Sequence, residues 1–151
     1  MNGPSNQISQ GMQNGHISHA IPSHRHPLHR LPVELVLEII DCLNAEQFIR
    51  FAFAHYPFLQ CYGLVPAMST QRLSALVKRS RLLPTFLQLV RLPTETLLEI
   101  MRHLNPIDTM RFVLANYQHL AMRGIAPRLT RTTMWSLEQA CLPDKMGGDE
   151  G

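Results

Sequence analysis

The amino-acid sequence predicts an all-α protein with two tandem three-helix units, a short helical segment joining them, and a disordered N-terminus. Three observations lead to this fold class: a repeated phrase, apolar residues at helical spacing, and capping residues at matched positions. The phrase Arg-Leu-Pro-x-Glu begins at Arg30 and again at Arg91, 61 residues later. Between residues 30–66 and 91–127, 16 of 37 positions are identical. An internal repeat of this quality indicates duplication.

The composition changes along the chain and divides it into five segments. The N-terminal segment is rich in Asn, Gln, Ser, Gly, Pro and His, and Arg25 is its only charged residue. It buries too little apolar surface to offset its ordering entropy, so we expect it to be disordered. The predicted segments are a disordered His/Asn/Ser-rich tail at 1–29, a first repeat at 30–66, a basic helical join at 67–90, a second repeat at 91–131, and a short helix with a polar acidic tail at 132–151.

The first helix of each repeat begins at a Leu-Pro step, where proline's missing N–H suits the first helical turn. In the first repeat, the apolar residues from Leu35 to Leu43 cover an arc of about 200° when projected at 100° per residue. Glu34, Glu38 and Asp41 fill the remaining edge. A surface helix that packs on one side needs about half that apolar arc. We therefore expect this helix to meet two surfaces.

Capping residues mark the later helices in both repeats. Asn44 and Asn105 are favoured N-caps for the second helix, and Gly63 and Gly124 are the expected left-handed stops after the third. Three short helices in 37 residues are too few to bury a self-sufficient core. Each repeat therefore needs the other repeat, the join or another protein to complete its packing.

The join is basic and partly apolar. Residues 67–91 carry five basic residues and no acidic one, a net charge of +5. Apolar residues recur at helical spacing through the join, which predicts one or two helices divided near Pro84 and packed on the repeats. A final helix that begins near Arg131 is expected to cover the second repeat.

The repeated phrase resembles the F-box. The spacing Leu-Pro-x-Glu-x-x-Leu-Glu-Ile-x-x-x-Leu fits residues 31–43 and 92–104, and a polar helix start follows at residues 105–108. The resemblance implies a three-helix module that docks on the Skp-type adaptor subunit of an SCF ubiquitin ligase. It implies partner contacts through the Leu-Pro step and the helix stripe, at Leu31, Pro32, Leu35, Ile39, Leu43, Leu92, Pro93, Leu97, Ile100 and Leu104. The function it implies is a protein–protein interaction adaptor for a target that the sequence does not name.

Two other functions fit the same sequence. The repeats could pack on each other as a self-contained helical interaction domain with no link to a ubiquitin ligase. The basic join could bind nucleic acid, although no interleaved aromatic residues or reading motif accompany it. Nucleic acid is therefore the less favoured partner.

The sequence favours a protein that is not an enzyme and that needs no cofactor or metal. The pairs Glu34/Glu38 and Glu95/Glu99 are one turn apart, which is typical of a solvated helix edge. No Gly-rich phosphate loop or nucleophile motif is present. The five histidines between His16 and residue 29 have no Cys or carboxylate partners on a fixed scaffold, so they favour a polar tract over a metal site.

The cysteines and the hydropathy pattern bear on location. The three cysteines are odd in number and share no metal-ligand spacing. No signal peptide and no apolar run long enough to span a membrane is visible. We therefore expect reduced thiols, no membrane partner, and an intracellular location in the cytoplasm or nucleus.

Overall fold

A computed structural model describes residues 27–81 and 91–142. Within these two ranges the chain is helical and contains no strand, as the sequence predicts. A 3-10 helix at Pro27–Arg30 precedes the α-helices. The α-helices are α1 (Val33–Asp41), α2 (Ala45–Ala54), α3 (Tyr56–Cys61), α4 (Thr70–Ser80), α5 (Thr94–Arg102), α6 (Pro106–Ala115), α7 (Tyr117–Met122) and α8 (Arg131–Cys141).

The described α-helices form two sets of four. Helices α1 to α4 begin and end 61 residues before α5 to α8. The structural repeat therefore includes the helix that follows each three-helix unit, and it is longer than the repeat read from sequence identity. We refer to α1–α4 as the first copy and to α5–α8 as the second copy.

Local capping explains where the helices begin and end. The Asn44 Oδ1 accepts a hydrogen bond from the Gln47 N–H at 2.8 Å, and the Gln47 Oε1 accepts one from the Asn44 N–H at 3.0 Å. This capping box starts α2, and Asn105 caps α6 with its side chain. Gly63 and Gly124 have φ values of +67° and +74°, the left-handed conformation that stops α3 and α7.

One hydrophobic core runs through both copies. Helix α2 packs on α6, and the ring centroids of Phe53 and Tyr117 lie 5.7 Å apart across the two copies. Val36 of α1 and Leu97 of α5 occupy equivalent positions, and both are buried in this core. Each copy thus supplies apolar surface that three short helices lack on their own.

The fourth helix of each copy packs on the third helix of the other copy. Helix α4 contacts α7, and α8 contacts α3. The Tyr56 N–H donates to the Ser136 Oγ at 3.2 Å, and the Gln60 Nε2 donates to the Ala140 carbonyl at 3.0 Å. The sequence predicts that the final helix covers the second copy, but α8 lies on α2 and α3 of the first copy. The buried α8 residues that face α3, Ser136 and Ala140, are small, which allows the two helices to pack closely.

Three predicted segments extend beyond the described residues. The predicted disordered tail at 1–29 overlaps the structure only at its end, where the 3-10 helix places the His29 ring 5.1 Å from the Phe58 ring. The described fold thus begins inside the predicted tail. Residues 1–26, the part of the join at 82–90 and the acidic tail from residue 143 lie outside the described residues.

Two equivalent tyrosines fasten the loops that lead to α4 and α8. The Tyr56 hydroxyl donates to the Pro66 carbonyl, and the Tyr117 hydroxyl donates to the Pro127 carbonyl, both at 2.6 Å. Burial raises the pKa of both phenols above the ordinary value of 10.0, because the phenolate would lose its hydration.

We expect Tyr56→Phe to lower the free energy of unfolding at neutral pH by about 1–3 kcal/mol, because the buried Pro66 carbonyl loses its donor. A phenol with a raised folded-state pKa stabilises the fold below its unfolded pKa, and this contribution is lost as the pH rises. The unfolding free energy of the wild type should therefore fall above about pH 10. Tyr56→Phe should fall less steeply, with Tyr117 accounting for part of the remaining slope. Urea denaturation between neutral and strongly alkaline pH measures both effects, and identical slopes would contradict the assignment.

Candidate partner-docking surface

Helix α1 is apolar around more of its circumference than the core covers. Val36 and Ile40 point into the core and are 1% and 6% exposed. Leu35, Leu37 and Ile39 remain 43%, 39% and 37% exposed. The wide apolar arc seen in the sequence therefore has an inner face that is buried in the protein and an outer part that remains partly exposed.

The exposed apolar side chains of α1 lie on two sides of the buried face. At 100° per residue, Leu35 and Ile39 fall on one side, together with Pro32 and Leu43, and Leu37 falls on the other. We call Pro32, Leu35, Ile39 and Leu43 the first row. Leu43 is half-buried, and the other three are exposed.

The equivalent positions on α5 form the second row, which consists of Pro93, Thr96, Ile100 and Leu104. Ile100 is exposed and Leu104 is half-buried, as in the first row. Thr96 stands where the first row has Leu35, so the second row is less apolar.

Leu97 does not belong to either row. Its equivalent in the first copy is Val36, and its side chain is fully buried. A partner that binds the outer surface does not reach Leu97 in this structure. Leu97 is thus the only one of the ten contacts implied by the resemblance that is fully buried. Leu37 is exposed on α1 but is not among those ten residues.

The Leu-Pro steps are anchored in the same way in both copies. Leu31 and Leu92 are half-buried and pack against the core. The Tyr62 hydroxyl donates to the Leu31 carbonyl at 3.3 Å, and the Arg123 Nη1 donates to the Leu92 carbonyl. Residues 62 and 123 are themselves equivalent. Each first helix therefore starts at a fixed place relative to the end of the third helix.

Carboxylates border both rows. Glu38 lies beside the first row and Glu99 beside the second, one turn from a further glutamate in each case. Glu99 forms an exposed ion pair with Arg102 at 3.8 Å, and its carboxylate lies 3.1 Å from the His103 Nε2. Exposed pairs of this kind contribute little to stability. A complementary partner surface would be an apolar groove with a basic rim.

The two rows end at a shared groove. The groove has a volume of about 820 Å³ and lies between the end of α1 and α5. Residues at equivalent positions of the two copies line it, including Leu43 and Leu104, and Asp41 and Arg102. The rows therefore converge on one part of the surface.

The described part of the chain offers no metal site and no membrane-spanning helix. No group of three or more His, Cys, Asp or Glu residues in residues 27–81 and 91–142 is arranged to hold a metal ion. Cys42, Cys61 and Cys141 form no disulfide bond. None of the described helices has the length and apolar character needed to cross a membrane.

Comparison with known proteins identifies one family. The F-box domain family matches residues 89–115, which run from just before the second Leu-Pro step to the end of α6. F-box domains bind Skp-type subunits, and F-box proteins are typically adaptors rather than enzymes. The match does not cover the first copy. No curated protein and no solved structure matches the chain.

Proposed function

We propose that the chain is an adaptor that docks on the Skp-type subunit of an SCF-type ubiquitin ligase through the second row. The observation that carries this proposal is the apolar strip left exposed on α5, inside the segment that matches the F-box family. Pro93, Ile100 and Leu104 form its apolar part, and Leu92 supports its start. This role places the chain inside the cell, where it would bring a target protein to the ligase.

The exposed side chains can supply useful binding energy but not all of it. Full burial of one isoleucine or leucine contributes about 1.5–3 kcal/mol, whereas association costs about 4–15 kcal/mol. The second row alone is therefore too small for a stable complex. The groove beside Leu104 extends the contact area, and residues of both copies line it. We infer that the Skp-type subunit covers part of this groove as well as the second row.

A second candidate function is a self-contained helical interaction domain without a ligase link. The packing of each fourth helix on the third helix of the other copy, which we call the helix exchange, favours this second function. Each copy already completes the packing of the other. Such a domain would fold cooperatively alone and would not bind the adaptor.

The two functions are distinguished by measuring how tightly the purified chain binds the purified Skp-type subunit. We expect wild type to bind and Ile100→Glu to weaken binding at least about a hundredfold, because a carboxylate would be buried against an apolar surface. Leu37→Glu is a matched control, since Leu37 and Ile100 have similar exposures of 39% and 40% but Leu37 is not in the second row. Isothermal titration calorimetry gives the affinities, and circular dichroism verifies that each variant is folded.

The remaining outcomes assign the docking copy or reject the proposal. If Ile39→Glu abolishes binding and Ile100→Glu does not, then the first copy is the docking copy. If folded wild type does not bind the adaptor, the ligase function is wrong and the self-contained domain is favoured.

A further inference from the structure

The two copies differ in how the fourth helix meets the second helix of a copy. Helix α8 packs directly on α2. The equivalent pair, α4 and α6, leaves a pocket of about 270 Å³ between the two helices. Because the copies otherwise repeat at a fixed interval, this pocket is a specific departure from the internal symmetry.

The residues that differ between α4 and α8 explain the pocket. Ala140 is only 4% exposed and lets α8 lie close to the first copy. Its equivalent on α4 is Arg79, whose charged group is costly to bury without a partner. Arg72 likewise stands where α8 has Thr133. The arginines therefore keep α4 away from α6, where small residues would allow contact.

Three arginines, Arg72, Arg79 and Arg111, are among the residues that line the pocket, and all three are exposed. The Arg72 Nη1 donates to the Ala67 carbonyl at 2.7 Å, and the Arg111 Nη1 donates to an Asp108 carboxylate oxygen at 3.0 Å. These bonds occupy part of each group and leave other N–H donors available. Among the described residues, Arg79 has no acid within ion-pair distance.

The charge in this pocket is only partly compensated. Asp108 offsets one of the three positive charges, so an excess of about two remains. The rest of the wall is apolar and includes Met68, Leu76 and Leu114. An apolar wall strengthens electrostatic attraction because it excludes water from one side of the charges.

We propose that this pocket binds a phosphate group. A phosphate monoester carries a charge of about −1.5 to −2 at pH 7 and three acceptor oxygens, which matches the excess charge and the several N–H donors. A single carboxylate would balance only half of that charge. Arginine also pairs with phosphate through two parallel hydrogen bonds. The described lining residues include no aromatic side chain on which a nucleic-acid base could stack.

The test is titration of the full chain with two probes, inorganic phosphate and a short peptide that contains phosphoserine. The key variant is Arg79→Ala, which places in α4 the residue that α8 carries at this position. We expect it to weaken binding of both probes by roughly tenfold to a hundredfold, the range for loss of a charge-assisted hydrogen bond. Arg50→Ala is the matched control, because Arg50 is the equivalent of Arg111 in the half without this pocket. It should bind as wild type does.

The source of the phosphate follows from comparing the two probes. Tighter binding of the phosphopeptide assigns the pocket to a phosphorylated side chain, and equal binding assigns it to a free phosphate ion. Nuclear magnetic resonance shifts at constant ionic strength measure both. Arg72→Thr, again the residue of the other copy, is the second variant and should also weaken binding.

Three results would overturn the proposal. The first is that neither probe binds the wild type. The second is that folded Arg79→Ala binds the probes as tightly as wild type does. The third is that a peptide with glutamate in place of phosphoserine binds as tightly as the phosphopeptide. The phosphate proposal does not rest on adaptor docking, because Ile100→Glu should leave phosphate binding unchanged.

Discussion

Replacing Leu97 by alanine is expected to lower the free energy of unfolding by about 2–5 kcal/mol, the usual cost of removing a fully buried leucine side chain. Leu97 has no exposed surface, and the helix that carries it, α5, packs on α2 of the first copy. The loss should therefore destabilise both copies together. Urea denaturation followed by circular dichroism should show one cooperative transition at a lower midpoint.

The matched control for Leu97→Ala is Ile100→Ala, one turn further along the same helix. Ile100 is 40% exposed, and its truncation should change stability by no more than about 0.5 kcal/mol. Leu97→Ala should therefore lower the free energy of unfolding, whereas Ile100→Ala should weaken binding to the Skp-type subunit. Similar losses of stability in both would contradict the division of α5 into an inner face and an outer row.

A chain that ends at Leu129 is expected to lose the cooperative fold of both copies. Such a chain lacks α8, whose Ser136, Leu137 and Ala140 are buried. The loss of Leu137 alone should cost about 2–5 kcal/mol. The exposed surface of α2 and α3 adds to this cost, and a small domain has a total stability of about 5–15 kcal/mol. Thermal denaturation should then show no sharp transition.

The control for this truncation is Trp135→Ala in the full chain. Trp135 lies on α8 but is 61% exposed, so its removal should leave the transition nearly unchanged. If the truncated chain still melts cooperatively near the wild-type temperature, then α8 does not complete the packing of the first copy.

Helix boundaries were the most predictable part of this fold because they depend on nearby residues. The Leu-Pro steps, the N-caps Asn44 and Asn105, and the stops Gly63 and Gly124 act within one turn of their own positions. The same holds for the expectation that the first helix has two faces. Its apolar arc is a local property of the sequence, and the structure shows both an enclosed and an exposed part.

The pairing of helices was less predictable because it joins residues that are far apart in sequence. Nothing near Ser136 indicates that it will accept a hydrogen bond from Tyr56, 80 residues away. Leu97, one of the partner contacts that the resemblance implies, is buried for a reason that lies in the repeat interval. It matches Leu35 in residue type, but the 61-residue interval pairs it with Val36, so the periodic position decides its burial. That interval is visible in the sequence.

The helix exchange also affects how the chain can fold during synthesis. The first copy lacks its cover until α8 has been made, because Gln60 and Tyr56 each contact a residue 80 positions later. At about 5–20 residues per second, a ribosome needs roughly 4–16 s to translate that interval. During this time the face of α3 that carries Tyr56 and Gln60 has no cover from α8. On the ribosome the packing of the first copy therefore stays incomplete until α8 has emerged.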